Sequence, residues 1–265
     1  MTTNDPELEE AMASLFTTAP PTLAPAVLAD VGLADRYAYL DSPIGPLVVA
    51  WNGLGVSSVG KAASDIAFER SHQASTGRRA IRNAGLPADL ERAIRRRLAG
   101  DRRVHVDLDL RGHTDFERDV WQKALEIPRG EVRPYGWIAG EIGRPRAVRA
   151  VGTALGHNPV PLIVPCHRVV RSDGTIGQYS LGGPENKRTI LAAEGLDPDR
   201  LEAEARAGIR LVGSDTTGIV CLPTCRNARR ITGAHRVPFR SLGAAIGAGY
   251  RSCKVCRPGS GALAA

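Results

Sequence analysis

Four of the five cysteines stand in two close pairs near the end of the chain, with spacings of three and two residues: Cys221, Cys225, Cys253 and Cys256. Four thiolates in two short-range pairs can each set one edge of a tetrahedron, which is the geometry that zinc requires. The segment that holds them is too short and too polar to fold around a hydrophobic core of its own. The spacing therefore predicts one zinc ion that folds a small C-terminal module at 211–260.

Two disulfide bonds are the alternative interpretation of these four thiols, and four unliganded thiols are a third. The N-terminus lacks the basic, apolar start of a secretory leader and carries several acidic residues: Asp5, Glu7, Glu9 and Glu10. The apolar runs, such as 47–51, are far shorter than the roughly 18 residues of a membrane span. We therefore expect a cytoplasmic protein without a membrane partner, whose thiols are free or metal-bound.

Charge is distributed unevenly along the 265 residues, whose formal net charge is +7. Residues 1–35 hold six acidic and no basic residues, whereas residues 206–265 hold ten basic residues and one acidic residue. A basic C-terminal end favours a polyanionic partner, and the predominance of Arg over Lys suits bidentate contacts with phosphate. A genomic preference for Arg codons would give the same ratio.

With 43% hydrophobic and 24% charged residues, the chain is typical of a folded globular protein. After an acidic arm expected at 1–35, three short apolar runs favour a β-meander: 37–40, 47–51 and 54–59. Asn52-Gly53 is a strong hairpin signal, because both residues tolerate positive φ. Residues 86–99 have the apolar period of a helix, and 104–110 alternate like a half-buried strand.

The pattern becomes helical from Thr114 onward. Thr114 and Glu117 form the capping box of a helix that Pro128-Arg129-Gly130 ends. A short helix is predicted over 135–142 and a second over 145–156, with a proline at its first position. Two helices joined by a short glycine-containing turn are typical of a helix-turn-helix.

The second of these helices has a face of small residues, with arginines close by. The small residues are Ala147, Ala150, Val151, Gly152 and Ala154, and the arginines are Arg144, Arg146 and Arg149. One interpretation is close packing of this face against the protein core. The other is insertion into a DNA groove, where the arginines would contact phosphates or fill an opened base stack.

The fifth cysteine, Cys166, lies between Pro165 and the pair His167-Arg168. An isolated cysteine is most often a small buried hydrophobe. A neighbouring cation, however, lowers the pKa of a thiol, and the thiolate is the nucleophilic form. The pattern therefore also allows a reactive cysteine.

The sequence Pro165-Cys166-His167-Arg168-Val169 resembles the active-site signature of the O6-alkylguanine-DNA alkyltransferases. The similarity covers residues 36 to about 197 and includes Phe116, Val120-Trp121, Ile127-Pro128-Arg129-Gly130, Tyr135, Ile138-Ala139, Arg149-Ala150-Val151-Gly152, Asn158-Pro159, Gly177, Tyr179, Gly182-Gly183, Lys187 and Glu194-Gly195. The resemblance implies an α/β + α fold, with an RNase-H-like N-terminal half at 36–110 and a winged helix-turn-helix-like catalytic half at 111–197. We expect a linker at 198–210 and a tail at 261–265.

The resemblance also implies an activity and the residues that perform it. Proteins of this family bind duplex DNA through the minor groove, flip the damaged guanine and move its O6-alkyl group irreversibly to a cysteine. Cys166 would accept the alkyl group, and His167, oriented by Glu194, would take the thiol proton through a water. Tyr135 would donate to the leaving base, and Asn158 would brace the link between recognition helix and active-site strand.

DNA contacts and a substrate pocket are likewise carried over from the family. The DNA-binding residues would be Arg146, Ala147, Arg149, Ala150 and Gly152, and the substrate-binding residues Pro161, Val169, Tyr179 and Ser180. Two features depart from the family pattern. Pro134 stands where serine is frequent, and the loop 179–183 is one residue longer, which leaves the range of accepted alkyl groups open.

The C-terminal module resembles the zinc domain of the bacterial adaptive-response (Ada) protein at 216–226 and 248–258. In that domain the first ligand cysteine, here Cys221, accepts a methyl group from DNA phosphotriesters. Two roles stay open for the module: a structural unit that helps to hold DNA, or a second methyl acceptor. We expect one Zn2+, no organic cofactor, a monomer, and double-stranded alkylated DNA as the partner.

Three functions are therefore compared: a single-turnover DNA repair alkyltransferase, a non-enzymatic sensor of alkylated DNA, and a DNA-binding regulator that responds to methylation. Sensors that resemble this family lack the cysteine, so Cys166 argues against the second. A regulator-type DNA-binding domain is not recognisable between the two regions, which argues against the third.

Overall fold

The first part of the chain forms a four-stranded sheet in the computed structural model, which describes residue 20 and residues 23–259. Its strands are β1 (Ala34–Leu40), β2 (Leu47–Asn52), β3 (Gly55–Gly60) and β4 (Arg79–Arg82), in the order β3-β2-β1-β4. The first three strands are antiparallel neighbours, whereas β4 lies parallel to β1. Three helices accompany the sheet: α1 (Leu23–Asp30), α2 (Asp65–Thr76) and α3 (Ala88–Leu98). Helix α2 connects β3 to β4 at the opposite edge of the sheet.

The predicted hairpin at Asn52-Gly53 is confirmed, but the positive φ lies two residues later. Gly55 has φ 135°, and a Cβ there would overlap the Asp107 carbonyl. Glycine therefore lets the segment 104–110 approach β3. The prediction of a strand over 104–110 is wrong, because this segment touches β3 only around Val56, which bridges Leu108.

Three further segments differ from the sequence predictions. Helix α1 and the start of β1 lie within the arm expected at 1–35; its residues 1–19 and 21–22 are outside the described residues. Pro145 lies in the turn before the second predicted helix, which begins at Val148. The expected linker 198–210 carries a helix, because the Asp197 side chain accepts from the backbone N–H groups of its first turn.

The middle part of the chain is mainly helical. Its helices are α4 (Asp115–Ala124), α5 (Tyr135–Glu141), α6 (Val148–Gly156) and α7 (Gly183–Ala193), and its strands are β5 (Arg133–Pro134) and β6 (Val169–Val170). The capping box at Thr114 is confirmed, since both reciprocal hydrogen bonds with Glu117 are present. Trp121 of α4 is completely buried against α6 and donates from Nε1 to the Ala154 carbonyl at 2.8 Å.

The C-terminal part forms a second four-stranded sheet. Its elements are α8 (Pro198–Arg206), β7 (Leu211–Ser214), β8 (Ile219–Cys221), β9 (Arg236–Phe239), α9 (Leu242–Gly247) and β10 (Arg251–Ser252), with the strand order β10-β8-β7-β9. The aromatic rings of Phe239 and Tyr250 meet edge to face over Gly213, with centroids 4.8 Å apart. A side chain at Gly213 would overlap both rings, so this strand position requires glycine.

One hydrophobic core runs through all three parts. Its buried members extend from Val49 in the first sheet through Val164 in the middle part to Val220 in the second sheet. The parts therefore pack directly on one another. Within the described ranges, every helix is too short or too polar to span a bilayer.

Candidate active site and metal centre

Cys166 begins a single 3-10 turn, Cys166–Arg168, that leads directly into β6. Strand β6 pairs in parallel with β5, with Val169 opposite Arg133. Because Tyr135 follows β5 directly, the strand pair brings the phenol and the thiol to neighbouring positions. Residues that are 31 positions apart in the sequence are thereby held in one site.

Cys166 is 6% exposed, and its thiol accepts a side-chain hydrogen bond from Asn158. The Asn158 amide donates to Cys166 Sγ at 3.1 Å and to the Val164 carbonyl at 3.0 Å, and its oxygen accepts from Val160 N–H. Burial raises the pKa of the thiol, and the Asn158 hydrogen bond opposes that rise. The charge of Lys187 also lowers this pKa, but burial outweighs both effects, so at rest the group is a neutral thiol that needs a base.

His167, the next residue, is the predicted base. Its Nε2 lies 3.1 Å from Glu194 Oε1, and its Nδ1 is buried with no hydrogen-bond partner among the described residues. With Nε2–H donating to the carboxylate, Nδ1 is the acceptor nitrogen. Burial lowers the pKa of His167, so the imidazole is neutral at physiological pH. A thiol, a neutral imidazole and a carboxylate thus lie in one cluster, which is the residue set of a nucleophile, a base and an orienting group.

Arg168 completes this cluster, although the sequence pattern indicates no contact between it and Glu194. Its guanidinium holds both oxygens of Glu194, at 2.7 to 3.1 Å, and donates to the Ile127 carbonyl at 2.7 Å. Burial alone would raise the pKa of Glu194, but hydrogen bonds from His167 and Arg168 lower it to about 2. The pairing of Arg168 with Glu194 could not be predicted from the sequence, because the two residues are 26 positions apart and come together only in the fold.

Two phenols and one amine surround the thiol. Tyr135 is partly buried and Tyr179 is 8% exposed, and burial raises the pKa of both phenols, so both remain hydrogen-bond donors. The Tyr179 hydroxyl has no partner among the described residues. Lys187 donates from Nζ to the Val169 carbonyl at 2.6 Å, and burial lowers its pKa to about 8. Among the other predicted pocket residues, Pro161 is buried and Ser180 is exposed.

The small-residue face of α6 divides into two sides. Val151 and Ala154 are buried in the core, as the packing interpretation requires. The predicted DNA-binding residues lie elsewhere on the helix and its preceding turn: Arg146, Arg149 and Ala150 are exposed, and Ala147 and Gly152 are partly exposed. A Cβ at Gly152 would lie 3.9 Å from the Tyr135 ring. The exposed side of α6 therefore adjoins the Tyr135 phenol.

The four C-terminal cysteines meet at one point, with all their Sγ atoms within 4.8 Å of one another and all four residues buried. Backbone N–H groups of Leu222 and Val255 and the Asn227 amide donate to two of these sulfurs at 3.3 to 3.4 Å. Hydrogen bonding with Cys225 raises the pKa of the neutral Cys221 thiol, because crowded thiols cannot all ionise without a cation. Four sulfurs with N–H donors around them fit tetrahedral Zn2+.

Cys221 also lines a surface cavity of about 400 Å3. The cavity wall includes a cation that favours an anion, Arg230, together with the hydroxyl residue Thr216 and with His235, which pairs with Asp215 at 2.9 Å. One metal ligand therefore faces a basic, open recess.

Two family models match the chain. The model described as 6-O-methylguanine DNA methyltransferase, DNA binding domain, covers residues 115–196, and the model described as metal binding domain of Ada covers residues 202–259. The first match contains Cys166 and Glu194, and the second contains all four clustered cysteines. Zn2+ is therefore the metal of the C-terminal module.

Curated relatives and a solved structure match a longer part of the chain. The methylated-DNA–protein-cysteine methyltransferase of Mycobacterium tuberculosis strain H37Rv is 40% identical over 160 residues, which are 60% of this chain and 92% of that protein. The protein of the same name from Methanosarcina barkeri is 38% identical over 151 residues, 55% of this chain and 89% of that protein. The crystal structure of M. tuberculosis OGT in complex with DNA covers 62% of this chain and 94% of its own, with 38% identity and a TM-score of 0.50. The chain therefore belongs to the methylated-DNA–protein-cysteine methyltransferase family and carries a zinc-binding module similar to that of Ada.

Proposed function

We propose that this protein repairs DNA by transferring the O6-alkyl group of guanine to its own Cys166 in a single turnover. The observation that supports this most directly is the Cys166 site itself. A buried thiol accepts a hydrogen bond from Asn158 at 3.1 Å, and the neighbouring imidazole has one buried, unpartnered nitrogen within the described structure. The relatives' name, methylated-DNA–protein-cysteine methyltransferase, describes this chemistry.

The transfer is a displacement at the alkyl carbon. The Cys166 proton passes through a water to Nδ1 of His167, and Glu194 stabilises the imidazolium that forms. The sulfur then attacks the alkyl carbon, so that the S–C bond forms while the C–O6 bond breaks. The electron pair of the broken bond passes to guanine, where the Tyr135 hydroxyl donates a hydrogen bond to the developing charge. Because the thioether is not cleaved again, each molecule acts once.

Double-stranded DNA would bind along the exposed side of α6. Arg146 and Arg149 are solvent-exposed there and suit phosphate contacts, and the adjacent Tyr135 marks the way to the thiol. Cys166 is buried, so the target base must leave the stack to reach it. Arg149 would fill the space that the flipped base leaves, while small Ala150 and Gly152 permit close approach.

The finer fold assignments and the organisation of the chain belong to the same proposal. The sheet order β3-β2-β1-β4, with β4 parallel to β1, supports an RNase-H-like N-terminal half at 36–110. The packing of α5 on α6 supports a winged helix-turn-helix-like catalytic half at 111–197. The module at 211–260 follows, and the protein acts as a cytoplasmic monomer.

Incubation with a duplex that contains one O6-methylguanine, followed by peptide mapping with mass spectrometry, tests this function. We expect one methyl group on the peptide that contains Cys166, and restored guanine in the duplex. Cys166→Ser should leave the duplex unrepaired, and an unmethylated duplex should leave the protein unmodified. If Cys166 stays unmethylated under excess substrate, the proposed repair activity is wrong.

A second methyl acceptor in the zinc module is supported by a separate observation. Cys221 lines the basic cavity beside Arg230 and His235, which suits the phosphate of a methyl phosphotriester. Zinc keeps this sulfur deprotonated and therefore nucleophilic. A duplex with a methyl phosphotriester and no O6-methylguanine should methylate Cys221 and not Cys166. Methylation of neither residue would leave the module with a structural and DNA-holding role.

A non-enzymatic sensor or a regulator is not favoured. A sensor has no use for the thiol, base and carboxylate that surround Cys166, and the curated relatives carry the name of a transferase. The mapping experiment with O6-methylguanine separates the sensor from the repair protein directly.

A further inference from the structure

The zinc module packs on the short segment that carries the active-site phenol. Thr224 lies between two metal ligands in the sequence, and its hydroxyl makes the first polar contact. Thr224 Oγ1 accepts from the Val132 N–H at 2.9 Å and lies 3.3 Å from the Val132 carbonyl oxygen. Thr224 is 7% exposed, so water does not substitute for these bonds. Thr224 lies in the loop that carries Cys221 and Cys225, the first cysteine loop. Its side chain thus supplies the hydrogen bonds that a neighbouring strand would otherwise make with Val132, the residue just before β5.

A buried ion pair makes the second contact. Glu131 is 1% exposed, and its carboxylate pairs with Arg133 at 2.6 Å. Its other oxygen accepts from the backbone N–H of Arg226, one residue after Cys225, at 3.0 Å. A buried charge is costly unless every hydrogen bond to it is made, so the carboxylate depends on the position of this cysteine loop.

The second cysteine loop makes the third contact. Trp137 is 3% exposed and donates from Nε1 to the backbone carbonyl of Cys256 at 2.9 Å. The guanidinium of Arg257 lies over the Trp137 ring and pairs with Glu141 at the end of α5. The first cysteine loop therefore hydrogen-bonds to residues before Tyr135, and the second cysteine loop hydrogen-bonds to a residue after it.

The residues that make these contacts are connected to the reacting groups by a short stretch of backbone. Val132 precedes β5, β5 pairs with β6, and β6 follows the turn that holds Cys166. Trp137 is two residues beyond Tyr135 in the same helix. The four-sulfur cluster holds the cysteine loops together, because a loop of this length has no core of its own. The cluster thus fixes the backbone from which the phenol and thiol project.

We propose that Thr224 is a positioning residue for alkyl transfer, through which the zinc-bound module sets the placement of β5 and Tyr135 relative to Cys166. This inference rests on the proposed repair function. It assigns the module a task in the chemistry at Cys166 that is separate from DNA binding and from methyl acceptance at Cys221. A displacement of about 1 Å in such a site can slow a reaction by up to about a hundredfold.

Thr224→Val and Thr224→Ser form the test pair. Valine keeps the shape and removes the hydroxyl, whereas serine keeps the hydroxyl. The full-length variants are compared in three measurements: bound zinc per chain, the dissociation constant for duplex DNA, and the single-turnover rate of methyl transfer at saturating duplex. We expect Thr224→Val to retain zinc and DNA affinity and to transfer roughly tenfold more slowly. Thr224→Ser should restore the rate, and Thr217→Val, on an exposed turn of the module, should match the unaltered protein.

The hydrogen bonds of Thr224 also hold the loop that carries Cys225, so their loss should weaken the grip of that loop on the metal. Zinc competition with a chelator should therefore show weaker binding to Thr224→Val than to Thr224→Ser. If Thr224→Val does not fold, Trp137→Phe removes the bond to the Cys256 carbonyl and reduces the ring under Arg257, and it should also slow transfer while zinc stays bound.

Each failure has its own signature. If the unaltered protein is never methylated at Cys166, the repair function is wrong. If it is methylated and both Thr224→Val and Trp137→Phe hold zinc and transfer at the unaltered rate, the positioning role is wrong. The role is also wrong if Thr224→Ser transfers as slowly as Thr224→Val, because the hydroxyl would then not be what matters.

Discussion

Glu194 serves two residues at once, since it accepts from His167 and holds Arg168 through both its oxygens. The guanidinium fixes the carboxylate, and the fixed carboxylate selects the imidazole tautomer whose Nδ1 can take a proton. The arrangement also keeps Glu194 ionised while it is buried, since its pKa is held at about 2. One carboxylate thereby links the stability of the active-site turn to its chemistry.

The pH dependence of stability follows from this pKa. The ordinary pKa of Glu194 is 4.5, and the folded value is about 2, so the ionised folded form is favoured. The stabilisation is fully present above pH 4.5 and is lost as the pH falls from 4.5 towards 2. Urea unfolding should show Glu194→Gln less stable than the unaltered protein by about 3 kcal/mol at pH 7, with the difference shrinking over that window. A difference that is independent of pH would contradict this assignment.

Asn158 controls the protonation of the Cys166 thiol. Its amide donates to the sulfur and so opposes the rise in pKa that burial causes. Asn158→Ala should therefore raise the pKa of Cys166 further and slow its reaction at pH 7. The pH dependence of iodoacetamide labelling at Cys166 measures this, with Asn83→Ala in the first domain as the remote control. An unchanged or lowered thiol pKa in Asn158→Ala would count against the role of the amide.

At the scale of elements, the first sheet is held to its helices by a buried polar network. Arg78 precedes β4 and bridges two carboxylates that are almost completely buried, with Asp35 on β1 at 2.9 Å and Asp109 at 3.2 Å. Asn52 donates to both carboxylates, and His72 of α2 lies 2.6 Å from Asp35. This network joins β1, β2, α2 and the segment before α4, which the apolar pattern of the sequence does not reveal.

Removal of Arg78 would leave the Asp35 carboxylate buried without its guanidinium partner, whereas Asp109 keeps its pair with Arg111 at 2.6 Å. Arg78→Met should destabilise the protein by about 3–5 kcal/mol in urea unfolding. Arg82→Met is the matched control, because Arg82 is the last residue of β4 and pairs with Asp65 at the exposed surface. That control should cost less than about 1 kcal/mol. Equal losses in the two variants would show that the buried network contributes no more than a surface pair.

At the scale of the whole molecule, the module and the alkyltransferase part share one core and several buried hydrogen bonds. The two parts are therefore expected to unfold together. Chelation removes the zinc ion that holds the module together. Calorimetry of the metal-free protein should therefore show one unfolding transition, at a lower temperature than for the zinc-bound protein. A transition of unchanged temperature for the alkyltransferase part would show that the module folds as an independent appendage.

Much of the architecture was readable from local sequence. The hairpin at 52–53, the capping box at Thr114 and the helix over 135–142 were predicted because each depends on neighbouring residues alone. Helix α2 and strand β4 were not predicted, since neither has a clear apolar period. The strand predicted over 104–110 is wrong for the opposite reason. Apolar and polar residues alternate clearly there, but the segment makes a single bridge to β3.

The sequence by itself determined the metal cage, because such a cage depends on the spacing of Cys221, Cys225, Cys253 and Cys256, and it singled out Cys166 through the residues 165–169 around it. Only the tertiary structure decided which groups meet. Glu194 reaches His167 across 27 positions, and Thr224 reaches Val132 across 92 positions. Contacts of this separation leave no periodic signal in the chain, since they depend on how distant elements pack rather than on the conformation of either segment. The burial that keeps Cys166 a neutral thiol is likewise a property of the assembled core, and no residue beside it in the sequence specifies it.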